Sequence, residues 1–316
     1  VAARVVIDTD PGVDDAVAIL LALASEELDV LALTTVNGNV DVERTTLNAR
    51  RLLSLARRPD VLVARGAAAP LVGPGGAASE VHGADGLGDL DWPEPTVPEG
   101  PEDAVDAIDR LAAEAPLTLV AIGPLTNLAE LVARHPRAVA RIERVVIMGG
   151  ASFHGNVTPA AEFNIWVDPE AARIVLAQPW PITIMPLDLT HQAFLTDEDL
   201  DFLRSLGTEV GRRVADMLET YAQFHQQWYE SRDLIMHDAT AVYDVIAPTA
   251  IATQGVAVEV ELSGEHSRGA TWFHRSHHHG DSRIRVGINL DNERFVALLR
   301  SRLASYGARG GGAQGD

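Results

Sequence analysis

Short runs of β-branched and aliphatic residues alternate with longer stretches of helical periodicity along most of this chain. Strand-like runs fall at 5–7, 31–36, 61–63, 117–122, 145–148 and 182–187, and helical patterns at 14–24, 42–57, 102–114, 168–177 and 237–246. This alternation specifies an α/β fold, a Rossmann-like, mostly parallel sheet flanked by crossover helices. In such a sheet, functional groups gather at the carboxyl ends of the strands. Residues 256–262, 270–274 and 283–289 are strand-like without long helices between them and precede a closing helix from about 292, which predicts an antiparallel addition near the C-terminus. The Gly- and Pro-rich stretch 67–100 reads as a long loop over the sheet. No linker divides the chain, so a single domain over 1–306 is expected, followed by a disordered tail over 307–316.

Composition removes several classes of function. A formal charge of −20, from 45 acidic and 25 basic residues, offers no footprint for phosphate backbones or anionic lipid, so neither nucleic acid nor a membrane is expected as a partner. Without cysteine there is no disulfide, thiolate metal site or cysteine nucleophile. Every basic residue in that count is arginine. The absence of lysine removes Schiff-base chemistry, the Walker-type phosphate loop and pyridoxal phosphate enzymes. The chain enters its first strand without a charged leader, and its apolar runs are too short or interrupted to span a bilayer, so a cytoplasmic protein is expected.

The densest chemical signal is Asp8-Thr9-Asp10-Pro11-Gly12-Val13-Asp14-Asp15, four carboxylates where a strand ends and a helix begins. Capping by Asp14 and a first-turn position for Asp15 account for two of the four. Clustered carboxylates repel, and a bound cation is the usual remedy. With oxygen ligands only, that cation is a hard one, Ca²⁺ or Mg²⁺.

This segment resembles the N-terminal signature of the inosine-uridine preferring nucleoside hydrolases. The likeness continues in order through Thr35-Val36-Asn37-Gly38-Asn39, His82-Gly83-Ala84-Asp85-Gly86-Leu87-Gly88, Gly123-Pro124-Leu125-Thr126-Asn127, Met148-Gly149-Gly150, Asn156 with Pro159, Ala161-Glu162-Phe163-Asn164, and His237-Asp238. The resemblance implies hydrolysis of the N-glycosidic bond of ribonucleosides to ribose and free base, by a homodimer or homotetramer. It implies Ca²⁺ held by Asp10, Asp15, Asp238 and the backbone carbonyl of Thr126. That ion would bind a water and the ribose 2′ and 3′ hydroxyls, with Asp10 taking the proton from the attacking water.

By the same resemblance Asp14, Asn156, Glu162 and Asn164 grip the sugar, and an extended segment would turn Glu162 and Asn164 to one side. Loop hydrogen bonding is the plainer reading of Asn156 and Asn164. Asn39 either orients the water or a ligand carboxylate, or is an ordinary turn asparagine. His82 either lines the base side of the pocket or is simply solvated. His237, beside Asp238, is expected as the acid that assists the departing base. A helix over about 208–229 sets Tyr221, His225, Trp228 and Tyr229 on one face, an arrangement usual for a core or subunit interface; the resemblance makes Tyr221 and His225 candidates for base contact. Thr9 stands where many relatives carry cysteine, and its side chain is expected to point away from the metal. The histidine-rich run 274–279 is read as a surface segment without a role.

Two alternatives remain at this level. A haloacid dehalogenase-type phosphatase also places Asp-x-Asp after its first strand, but its later lysine has no counterpart here, and Asp14-Asp15 and His237-Asp238 would go unexplained. A non-catalytic nucleoside-binding protein of the same fold is the other, against which stands the joint presence of a base, a metal set and an acid.

Overall fold

The structure is a computed structural model that describes residues 2–229, 232–275 and 282–310. Among the described residues twelve strands are formed: β1 (Ala3–Thr9), β2 (Leu28–Thr35), β3 (Leu62–Arg65), β4 (Leu117–Ala121), β5 (Ile142–Met148), β6 (Ile182–Met185), β7 (Phe194–Leu195), β8 (Leu234–Ile235), β9 (Ala252–Gly255), β10 (Ala257–Val260), β11 (Thr271–His274) and β12 (Ile284–Asn289). The helices are α1 (Val13–Ala24), α2 (Val42–Leu55), α3 (Ser79–His82), α4 (Ala104–Glu114), α5 (Thr126–Arg134), α6 (Phe163–Val167), α7 (Pro169–Leu176), α8 (Leu187–Thr190), α9 (Asp197–Ser205), α10 (Glu209–Tyr229), α11 (Ala239–Ile246) and α12 (Asn292–Gly310). No helix of the described residues is long and apolar enough to cross a membrane.

The main sheet has the order β3-β2-β1-β4-β5-β6-β12-β9. Its pairs are parallel except for the edge pair of β12 with β9. Strand order reverses between β1 and β4, and their carboxyl ends diverge into the crevice where sheets of this kind bind ligands. Period-2 alternation divides the core. On β1, Val5 and Ile7 face the layer that includes α1, α10, α11 and α12, whereas Val6 faces that of α4, α5 and α7.

Helix α1 is buried along its whole length, because its sequence is apolar all round after Asp15 and it is packed by α10, α11 and α12. Burying Ile19, Leu20 and Leu21 contributes about 1.5–3 kcal/mol each before entropy is counted. That packing fixes the N-terminal turn of α1, which carries Asp14 and Asp15.

Near the C-terminus the expected antiparallel addition is divided. β10 and β11 pair in a separate two-stranded sheet, β9 is the antiparallel edge, and β12 lies parallel to β6. The reason is connectivity: the sequence between β6 and β12 is long enough to return the chain to the amino end of the sheet. Helix α12 continues through Gly310, past the point at which the glycine-rich tail was expected to begin, and residues 311–316 lie outside those described. Residues 276–281, with most of the histidine-rich run, also lie outside.

Candidate active site

Segments following β1, β2, β4, β5 and β6, together with the start of α11, converge at the carboxyl edge of the sheet. Asp10 follows β1 directly. One of its oxygens, Oδ2, accepts the backbone N–H of Asn39 at 2.7 Å, while Oδ1 is buried with no hydrogen-bond partner among the described residues. Glycines make this close approach possible: a Cβ at Gly38 or Gly123 would run into the Asp10 carboxylate. The Asn39 side chain donates to the Asp10 carbonyl and to Asp15 Oδ2, each at 3.1 Å, so Asn39 orients carboxylates instead of forming a plain turn.

Asp15 is the third residue of α1 and closes a capping arrangement by accepting the Gly12 N–H at 2.9 Å. Thr9 corrects an expectation here. Its hydroxyl donates to Asp15 Oδ1 at 2.6 Å, toward the cluster and not away from it. Asp238, the N-cap of α11, brings its carboxylate to those of Asp14 and Asp15 at the start of α1. Carboxylates gathered so closely in a buried place need a proton or a cation among them.

Carboxylate oxygens of Asp14, Asp15 and Asp238 lie within 4.8 Å of one another, all buried, and could hold a metal ion. The tightest group thus contains Asp14, expected to bind sugar, in place of Asp10. Asp10 adjoins it closely enough for mutual charge repulsion. Burial, reinforced by like charge, pushes Asp10 and Asp238 well above the ordinary carboxylate range and Asp14 up to about 8; burial also raises Asp15. The N-termini of α1 and α11 direct partial positive charge at the cluster but do not neutralise it. An all-oxygen donor set, the unpartnered Asp10 Oδ1 and mutual repulsion fit a hard divalent cation.

Thr126 opens α5, and its hydroxyl is committed to Asp168 Oδ2 at 2.8 Å; Asp168 also caps α7 and accepts the Leu71 N–H at 2.8 Å. Beneath the cluster, Asp8 is pushed by burial up to about 7 although Thr34 (2.6 Å) and Asn127 (2.8 Å) donate to its Oδ1. Sequence reasoning gave no role to Asn127, Thr34 or Asp168. The Asp168-Pro169 helix start was the one available sign of the last.

Glu162 and Asn164 do not share an extended segment. Glu162 is the N-cap of α6, with Oε1 accepting the N–H of Asn164 at 2.8 Å and Oε2 those of Gly150 at 2.9 Å and Ile165 at 3.1 Å. A carboxylate able to satisfy three backbone donors starts a helix where an extended run was expected. Burial still raises Glu162 to about 7. The Asn164 amide ties the ends of β4 and β5 together, donating to the carbonyls of Ile122 at 3.0 Å and Met148 at 3.2 Å. Asn156 is exposed, its Oδ1 accepting the Phe163 N–H at 2.9 Å, and the described contacts do not join it to the carboxylates.

His82 is buried and not solvated. Its Nδ1 accepts the Val13 N–H at 3.1 Å, capping α1, and its ring stacks at 5.9 Å on that of Tyr221, itself buried. The backbone of His225 lies in α10, but its side chain, like those of Trp228 and Tyr229, lies outside the described residues. His237 is half-buried; its Nδ1 is 2.7 Å from Thr190 Oγ1 and its ring meets His191 edge-on at 5.5 Å. Burial holds His191 below the usual histidine range. His191 also lines a cavity of about 400 Å³ with Phe153, His154, Leu187 and Asp188.

Comparison with known proteins agrees with this geometry. The family model of the inosine-uridine preferring nucleoside hydrolases matches residues 5–297. The chain is 41% identical to the pyrimidine-specific ribonucleoside hydrolase RihA of Photobacterium profundum, over 96% of this chain and 99% of that one. It is also 41% identical to RihA of Klebsiella pneumoniae, over 95% and 98%. Among solved structures, the plant nucleoside hydrolase PpNRh1 superposes with a TM-score of 0.90 at 36% identity, over 96% of this chain and 100% of that one. A purine-preferring ribonucleoside hydrolase from Gardnerella vaginalis gives 0.91 at 30% identity, over 96% and 99%. The chain belongs to the inosine-uridine preferring nucleoside hydrolase family.

Proposed function

We propose that the chain hydrolyses the N-glycosidic bond of ribonucleosides, pyrimidine ribonucleosides foremost, with Ca²⁺ held by Asp10, Asp15, Asp238 and the Thr126 carbonyl. The observation that carries this reading is the buried, unpartnered Asp10 Oδ1 beside three further carboxylates. When bound, such a cation neutralises their repulsion, makes water more acidic and offers coordination to vicinal ribose hydroxyls.

The chain's own groups supply the rest. Asp10, fixed through Oδ2 by Asn39, accepts at Oδ1 the proton of the water that attacks the anomeric carbon. Asp14, Glu162 and Asn164 surround the sugar with acceptors and negative charge, which suits a transition state of oxocarbenium character. Asn156 joins them only on releasing the Phe163 N–H. His237 gives a proton or hydrogen bond to the departing base, with His82 and Tyr221 toward the base side and His225 a further candidate for base contact by family resemblance. The preference for pyrimidines follows the two relatives at 41% identity, both named pyrimidine-specific.

Ribose release from uridine, cytidine, inosine, adenosine and guanosine tests the reading. Uridine and cytidine are expected to be cleaved at least about tenfold faster than the purine nucleosides. No release from any of the five would overturn it.

A further inference from the structure

We propose that Thr190 is a positioning residue for His237, its hydroxyl donating to Nδ1 and so keeping the proton of the neutral ring on Nε2, the nitrogen that can meet a departing base. Thr190 is fully buried at the end of α8, one turn after β6, and reaches His237 across 47 residues of sequence at 2.7 Å. A hydroxyl has one proton to give. Its other acceptor here is the carbonyl of Leu187, at 3.4 Å, which is the local bond a helical threonine makes by default. The 3.4 Å separation from Leu187 lies beyond the usual range for a hydroxyl donor, whereas 2.7 Å from Nδ1 lies within hydrogen-bond range, so the single hydroxyl proton is better used toward Nδ1, with Nδ1 accepting.

A neutral imidazole has one donor and one acceptor nitrogen, and the bond made by one determines the role of the other. His191, next to Thr190, meets the His237 ring at 77° and 5.5 Å, which restrains the ring plane. The single turn α8 and the residue after it therefore set both the proton position and the orientation of the ring. The inference rests on the proposed role of His237 as leaving-group acid.

Replacing Thr190 with valine keeps the shape and removes the hydroxyl, and replacing it with serine keeps the hydroxyl. In Thr190→Val, kcat for uridine is expected to fall about tenfold to a hundredfold at little change in KM, whereas p-nitrophenyl riboside, whose leaving group needs no acid, loses much less. Thr190→Ser is expected to restore most of the loss. Imidazole ¹⁵N shifts of the wild-type protein should report Nε2–H for neutral His237. Undiminished uridine turnover in Thr190→Val, equal losses on both substrates, or an Nδ1–H tautomer in the wild type would overturn the proposal. If the wild type cleaves neither substrate, the functional reading fails, and the ¹⁵N tautomer alone then decides the role of Thr190.

Discussion

The backbone N–H of Asn39 holds Asp10 Oδ2 at 2.7 Å and leaves Oδ1 of the same carboxylate buried without a hydrogen-bond partner among the described residues. Asp10→Asn retains the size of the side chain and removes its capacity to take a proton. Turnover of uridine is expected to fall by about a thousandfold or more while the protein remains folded. Steady-state kinetics with a parallel melting curve check this, and near wild-type rates would remove Asp10 as the base.

Asn39 also bridges to Asp15 through its side chain, so it acts on two carboxylates at once. Groups that orient metal ligands typically change affinity by about 10–100-fold when removed. Asn39→Ala is therefore expected to weaken Ca²⁺ binding by about that factor, measured by calorimetry on chelator-stripped protein.

Thr9 donates to the other oxygen of Asp15 at 2.6 Å. Thr9→Val should weaken Ca²⁺ binding by about tenfold, and Thr9→Ser should retain most of the affinity. Equal affinity in Thr9→Val and wild type would show that the capping bond from Gly12 and the Asn39 amide suffice to hold Asp15.

These carboxylates were the most legible part of the site, since four acids in eight residues at a strand end admit few explanations. The alternation of strands and helices likewise located β1, β2, β4, β5 and β6, because central parallel strands are apolar on both faces. What stayed hidden depends on tertiary contacts. Nothing local tells that Thr9 turns toward Asp15, that His82 caps α1 from 69 residues away, or that Thr190 meets His237. Glu162 was assigned to the site without any sign that its carboxylate would start a helix. Helices α5 and α9 were missed, and α6 and α8 are too short for periodicity to register.

Asp8 offers a test by pH. Its folded-state value, about 7, lies above that of an unfolded aspartate, so the folded form binds the extra proton. Its contribution is fully present below about pH 4 and is lost as pH rises through 7, amounting to a few kcal/mol at most. The melting temperature of chelator-treated protein should therefore fall between pH 5 and 8, and Asp8→Asn, which keeps an acceptor for Thr34 and Asn127, should flatten that fall. An unchanged slope in the variant would assign the effect to the other buried carboxylates.

His237→Ala should slow uridine by about a hundredfold and p-nitrophenyl riboside far less, because only the natural base departs poorly without a proton. Equal slowing on both would remove His237 from the acid role.

The central claim is that the buried oxygen cluster works through a bound divalent cation. Ribose release from uridine should vanish after stripping with a strong calcium chelator and return on addition of excess Ca²⁺. Unchanged release from protein shown by elemental analysis to be metal-free would contradict it.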